Sequence, residues 1–378
     1  MPTPVIPLMQ FLVEVPDFRA ASGKRHPLSA ILALACAACL CGYRSYGAMA
    51  EWGRNYGAGL IAALGFTRST TPCAATLHTV FKQLDIASFE AKLSAWAEQA
   101  LVAQPGAAGQ LEAIACDGKT LRGSRKLGAP GSHLLAAVSQ RLGLTLTQCA
   151  VADKTNELSA IHEILTGLLL TGRVITTDAL HTQRDFAQAV LDAGGDYLMF
   201  VKDNQPQLRE DIVTLFQEPQ AVAETLTTAR TLDLGHGRIE ERRLTASWAL
   251  VGYTDWPGLQ QVLQLERTIT IKKTRRQRHE VVYGVTSLAP QRADAARLLQ
   301  YARGHWRVEA GHWIRDVTFD EDRSQVRCGH IPQTMAALRN TAIALMRSAG
   351  ETNIAAAARR YAAQPWTALA LIGITREN

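Results

Sequence analysis

The sequence predicts a mixed α/β fold in which a core of alternating strands and helices carries a β-rich insertion and follows an all-helical N-terminal domain. Three observations predict it. Apolar residues recur at three- and four-residue spacing up to about Gln104, short apolar runs alternate with helical stretches from about residue 110, and β-type runs crowd into residues 231–290. Helical periodicity then returns from Ala295 to about Val308 and from Thr334 to Met346.

In the first segment, residues 1–104, Ala30, Ala33, Leu34, Ala37 and Ala38 repeat at helical spacing, as do Phe89, Leu93, Trp96 and Ala97. Breaks fall at Gly53 to Gly59 and at Ser69 to Pro72. The stretch Leu28 to Tyr43 is shorter than the roughly 20 residues that a bilayer span requires. Charged residues bracket it (Lys24, Arg25 and His26 before, Arg44 after), so it reads as a buried helix and no membrane association is expected. Cys36, Cys39 and Cys41 lie inside this run with no second Cys or His pair at metal spacing, and they read as buried apolar residues. Met1 to Pro16 shows no secretory pattern, which together with seven scattered cysteines points to a reducing cytoplasm. Gln104 to Gly109 reads as the exit linker.

Residues 110–230 form the first part of the core. Ala113 to Cys116 is a short strand ending in Asp117, Leu134 to Val138 and Leu144 to Val151 pair as a hairpin, and Val174 to Thr177 is a strand ending in Asp178. Leu158 to Leu170 and Phe186 to Leu191 have helical spacing, and Tyr197 to Val201 is a further strand. In the insertion, residues 231–290, strand runs are expected at Ile239 to Ala246, Gln261 to Leu265, Arg267 to Ile271 and Val281 to Val285. Residues 291–350 complete the core and 351–378 form a C-terminal tail. A chain of 378 residues exceeds what one core holds, and 47% hydrophobic with 20% charged residues excludes a disordered protein. A net charge of +6 permits an anionic partner without demanding one.

An acidic residue at a strand's end stands at the sheet edge where α/β proteins bind ligands, and Asp117 and Asp178 both have that placement. Two such carboxylates on adjacent strands would repel each other unless a cation or a shared proton compensated, and Mg2+ prefers oxygen ligands. Each Asp could instead cap the following turn. A third segment, Tyr301 to Asp322, places His305, Glu309, His312, Trp313 and Asp316 at spacings that share one helix face.

The strings IACDGKTLRGS, ITTDALHTQ, YLMFVKDNQ and HWRVEAGHWIRDVTFDED resemble the DDE transposases of bacterial insertion sequences, in the group similar to the H-repeat-associated proteins. GKRHPLSAILALACA followed by RSYGAMAEW resembles that group's helical associated domain, so the likeness spans nearly the whole chain. It implies an RNase H-like core whose acidic triad is Asp117, Asp178 and Glu309, binding two Mg2+ ions or Mn2+. It also implies DNA strand cleavage and strand transfer on double-stranded DNA, namely insertion-sequence ends and target, by a homodimer or larger synaptic complex at the bacterial nucleoid. A catalytically inactive DNA-binding remnant and a stand-alone nuclease of the same fold are the alternatives. The sequence departs from the group's pattern: Ala310 stands where Asn is usual, His305 where Arg is usual, and Asp316 where Lys is usual. Asp316 is therefore an alternative third ligand.

Gly118-Lys119-Thr120 is no phosphate loop, because Ala113 occupies the position of the required earlier Gly. Lys119 and Arg122 either touch a DNA phosphate or lie on a solvated loop. Lys272, Lys273, Arg275, Arg276 and Arg278 put five basic side chains into seven residues between strand runs, suited to phosphate contact. His181 and Gln183 are candidates to contact the scissile strand or an attacking water, with a helix-start hydrogen bond as the competing role. Lys202, Asn204 and Gln205 form a polar turn; the family likeness points to DNA contact there, while an ordinary turn explains the spacing equally well. His305 and His312 do not have the spacing of a zinc helix motif. Trp306 and Trp313 could stack on a frayed base, but core packing is the expectation for both.

Overall fold

A computed structural model describes residues 6–107, 109–125, 130–151, 157–235 and 237–376. Ala108 of the expected linker lies outside the described residues. The first helices in chain order are α1 (Leu8–Leu12), α2 (Leu28–Leu40), α3 (Tyr46–Arg54), α4 (Ala58–Ala63), α5 (Ala74–Gln83) and α6 (Ile86–Val102). Then come β1 (Glu112–Thr120), β2 (His133–Ser139), β3 (Thr145–Val151), α7 (Glu157–Thr166), β4 (Arg173–Thr177), α8 (Arg184–Asp192), β5 (Asp196–Val201) and α9 (Pro206–Gln217). The insertion holds β6 (Leu226–Gly235), β7 (Arg238–Ser247), β8 (Gln261–Ile271) and β9 (Gln277–Thr286). The chain ends with α10 (Ala295–His305), α11 (Arg307–Val317), α12 (Ile331–Ser348), α13 (Ile354–Ala363) and α14 (Pro365–Leu371).

The chain divides into two compact units. The first comprises residues 1–108, 118–160 and 308–378; the second comprises 109–117 and 161–307. In the first unit α2 is buried at twelve of its thirteen positions, which explains why its sequence is apolar all round rather than striped. Helices α12, α13 and α3 pack on it. The three cysteines of this segment are buried, and desolvation pushes the thiols of Cys39 and Cys41 up to about 12, as expected of inert core residues. Residues expected to form a tail are instead helical, with Ile354, Ala357, Ala358 and Tyr361 of α13 buried. β2 and β3 form the antiparallel hairpin that the sequence predicts.

In the second unit the strands run in the order β1-β4-β5-β9-β8-β7-β6. β1, β4 and β5 are parallel, whereas β5 to β6 are joined by antiparallel pairings. Helix α10 covers the root of the insertion: Leu298, Leu299, Tyr301 and Ala302 pack with Leu244, Ala246, Leu263 and Leu265. Two expected runs, Gln261 to Leu265 and Arg267 to Ile271, are one continuous strand, in which the charged Arg267 is accommodated by pairing with Glu240 of β7 and Glu280 of β9. No described helix is long and apolar enough to cross a membrane.

Candidate active site

The site is built first from sheet register. β1 and β4 run parallel, with Ile114 opposite Ile175, Ala115 opposite Thr176 and Cys116 opposite Thr177. Asp117 follows Cys116 within β1, which runs on to Thr120 rather than ending at the acid as the sequence predicts, and Asp178 follows Thr177 just beyond the end of β4. The register continued by one residue sets the two at one level on neighbouring strands, whose spacing is about 4.8 Å. The apolar residues before them are fully buried, which fixes both backbones rigidly. The Oδ1 atom of Asp178 is buried with no hydrogen-bond partner, although its side chain is otherwise half-exposed. A buried carboxylate oxygen lacking a donor, beside a second carboxylate, has the chemistry of a ligand set for a hard divalent cation. Among the described residues, no group of three or more His, Cys, Asp or Glu side chains is gathered to hold a metal ion.

After Asp178 the chain makes a single 3-10 turn, Ala179–His181, and other elements hold that turn in place. Asn204 Nδ2 donates to Ala179 O at 2.7 Å and to Thr182 O at 3.1 Å. Gln205 Nε2 donates to Thr182 O at 3.1 Å and to Gln183 Oε1 at 3.2 Å. Thr182 Oγ1 in turn donates to Phe200 O of β5 at 2.5 Å. His181 is 1% exposed and lies with its Nε2 at 3.9 Å from Asp178 Oδ1. His305 is buried too: its Nδ1 meets Thr176 Oγ1 at 3.1 Å and its ring packs edge-on to Phe200. Burial pushes the imidazole down to about 4, only partly opposed by the negative charge of Asp178.

The helix face that the sequence predicts for His305, Glu309, His312, Trp313 and Asp316 is broken. The helix stops at Trp306, the C-cap of α10, so His305 ends one helix while the others belong to α11. His305 is buried, whereas Glu309, in the first turn of α11, is exposed. The break also overturns the expected burial of the tryptophans: Trp306 is 49% exposed and Trp313 63%.

Within the first unit Lys119 is neither on an open loop nor free for phosphate. It is 9% exposed, with Nζ at 2.7 Å from both carboxylate oxygens of Asp316 and 3.6 Å from Asp322. This pairing also occupies Asp316, the alternative ligand. Arg122 is exposed and lies 3.5 Å from Asp322. Deeper in the unit Glu321 accepts from Arg315 at 2.7 Å and from Arg339 at 2.9 Å, all three side chains being buried. Burial alone would raise the Glu321 carboxyl, but the two guanidiniums outweigh it and hold it below its ordinary value. The network continues from Arg315 to Asn340, from Asn340 to Gln148 and from Gln148 to Glu90, which ties α11, α12, β3 and α6 together. Sequence spacing carries no signal for it, because its members are far apart in the chain.

Lys272, Lys273, Arg275, Arg276 and Arg278 are all exposed at the tip of the β8–β9 hairpin. Arg275 adopts a left-handed backbone, φ 56°, and its N–H bonds to Ile271 O to close the turn. Lys202 is exposed beside the Asn204 turn.

A family model described as the transposase DDE domain matches residues 108–346, and one described as DDE_Tnp_1-associated matches residues 9–97. The chain is 37% identical over 263 residues to an uncharacterised protein in the dhlA 3′ region of Xanthobacter autotrophicus, covering 68% of this chain and 86% of that protein. It is 30% identical to the protein YbfL of Escherichia coli strain K12 over 90% of each chain. It is 29% identical to the H repeat-associated protein YhhI of the same strain, again over 90% of each. A piggyBac transposase synaptic complex with hairpin DNA aligns with a TM-score of 0.46 at 11% identity, covering 98% of this chain and 82% of that one.

Proposed function

Because the chain belongs to the transposase family defined by the DDE domain, we propose that it cleaves DNA strands at insertion-sequence ends and transfers them to target DNA in a divalent-metal-dependent reaction. The observation that carries this reading is the pair Asp117 and Asp178, aligned by the β1–β4 register, with a buried Asp178 oxygen that lacks a donor. Asp117 and Asp178 bind metal with Glu309 as the third ligand, and the oxygen-only donor set suits two Mg2+ ions or Mn2+. Bound there, such ions would lower the pKa of an attacking water or 3′-hydroxyl and stabilise the leaving oxygen.

The remaining residues have supporting roles in this reading. The exposed cluster Lys272, Lys273, Arg275, Arg276 and Arg278, with Lys202 and Arg122, tracks the phosphate backbone of double-stranded DNA. Exposed Trp306 and Trp313 offer flat faces to a frayed base. His181 and His305, both buried, support the sheet edge that carries Asp178 and do not reach DNA directly. Joining two ends requires a homodimer or larger synaptic complex, acting on the bacterial nucleoid.

The test is strand cleavage by purified full-length protein on DNA carrying the element's ends, with Mg2+ or with EDTA. Cleavage should require the metal and disappear in Asp117→Asn, Asp178→Asn and Glu309→Gln. Full cleavage by Glu309→Gln would remove Glu309 from the site, and metal-independent cleavage would sink the reading altogether.

A further inference from the structure

We infer that Asn204 and Gln205 are positioning residues for Asp178, gripping the turn that follows it, and that neither contacts a DNA phosphate. The inference deepens the proposed function, since it rests on Asp178 being a metal ligand.

Asp178 leaves β4 in extended geometry, φ −71° and ψ 176°, and only three residues of 3-10 helix follow. So short a helix cannot fix its own direction, because i to i+3 bonds have poor geometry and few are made. The direction of the Asp178 carboxylate is therefore set from outside. Both N–H groups of the Asn204 amide end on carbonyls of this turn, Ala179 O and Thr182 O, which bracket its two ends. Both N–H groups of Gln205 add Thr182 O and the Gln183 side chain. The two amides come from one rigid source: Gln205 N bonds to Lys202 O at 3.0 Å, closing a turn between β5 and Pro206, the first residue of α9. From the other side, the Thr182 hydroxyl ties the turn to Phe200 O of β5.

The same bonds bear on the phosphate question. A side-chain amide has two N–H donors and one acceptor oxygen, and a phosphodiester accepts hydrogen bonds but has none to donate. With both donors engaged, each of these amides has only its carbonyl oxygen left, which a phosphate oxygen would repel. The adjoining Lys202, an exposed cation, has the chemistry that the two amides lack. Partners that orient a metal ligand typically change metal affinity by about 10–100-fold when removed.

The experiment uses the full-length protein carrying Asn204→Ala, Gln205→Ala, the double substitution, and the milder Gln205→Met in case the alanine variants do not fold. Mn2+ binding is followed by electron paramagnetic resonance without DNA, and binding of a fluorescein-labelled duplex is followed by anisotropy in EDTA. The expected result is Mn2+ affinity lowered about 10-fold or more in Asn204→Ala, approaching the loss in Asp178→Asn, with unchanged duplex affinity. Unchanged Mn2+ affinity with weakened duplex binding would overturn the inference. If Asp178→Asn weakens Mn2+ binding but no Asn204 or Gln205 variant does, the inference alone falls. If the unaltered protein binds no Mn2+, the metal reading falls and takes the inference with it.

Discussion

Cys116 and Thr177 are register partners on the parallel strands β1 and β4, so the residue after each, Asp117 and Asp178, is delivered to the same level of the sheet. Two carboxylates held this way repel one another in metal-free protein. Asp178→Asn should therefore raise the melting temperature slightly without metal, by about 1–3 °C for roughly 1 kcal/mol of relieved repulsion. Mg2+ should raise the melting temperature of the unaltered protein and leave that of the variant unchanged, because only a folded state that binds the ion gains from it. Differential scanning fluorimetry with and without Mg2+ checks both signs, and a variant that melts earlier without metal would contradict the repulsion.

His305 should make stability depend on pH. Its imidazole titrates near 4 when folded, against an ordinary value of 6.5, so between these values the unfolded chain binds the extra proton. Stability should fall as pH drops from about 6.5 to about 4, by up to roughly 3 kcal/mol at the lower end. His305→Gln, which cannot be protonated, should make that part of the profile shallower in urea melts taken across the range, leaving the share of His312, whose imidazole is pushed down to about 3 by burial.

Glu321 lies between Arg315 and Arg339 with all three side chains buried. Glu321→Gln leaves two buried guanidiniums without a counter-charge and should destabilise the protein by about 3–5 kcal/mol. Because the Glu321 carboxyl titrates below its ordinary 4.5, its contribution is complete above that pH and is lost as pH falls through the depressed value. The variant should accordingly lose its acid dependence in this range. A stability change under 1 kcal/mol in equilibrium unfolding would contradict the role.

The hairpin tip should govern the salt dependence of DNA binding. Replacing Lys272, Lys273, Arg275, Arg276 and Arg278 by Ser together should make the slope of log K against log salt shallower by about 0.9 for each phosphate that is no longer neutralised. All five are exposed, so the melting temperature should change little. A slope equal to that of the unaltered protein would remove the tip from the DNA interface.

Strand and helix periodicity made most elements legible, including the β2–β3 hairpin, the apolar α2 and the β-rich insertion. β6 escaped because its apolar residues do not mark a buried face: Leu232 and Leu234 are exposed and no residue of the strand is fully buried. α9 went unread although Leu208, Ile212 and Leu215, which it buries, stand at helical spacing. The expected face joining His305 to Glu309 failed for a local reason, the stop at Trp306, which helical spacing does not register.

By itself the sequence determined which carboxylates are candidates for the site, which segment is basic, and to which family the chain belongs. Those properties are written in residue type and local spacing. Tertiary structure alone decided that Asp117 and Asp178 share a level, that Lys119 is held by Asp316, and that Asn204 and Gln205 grip the turn after Asp178. Each of these depends on strand register or on the meeting of groups distant in the chain, and neither is encoded in any short window of sequence.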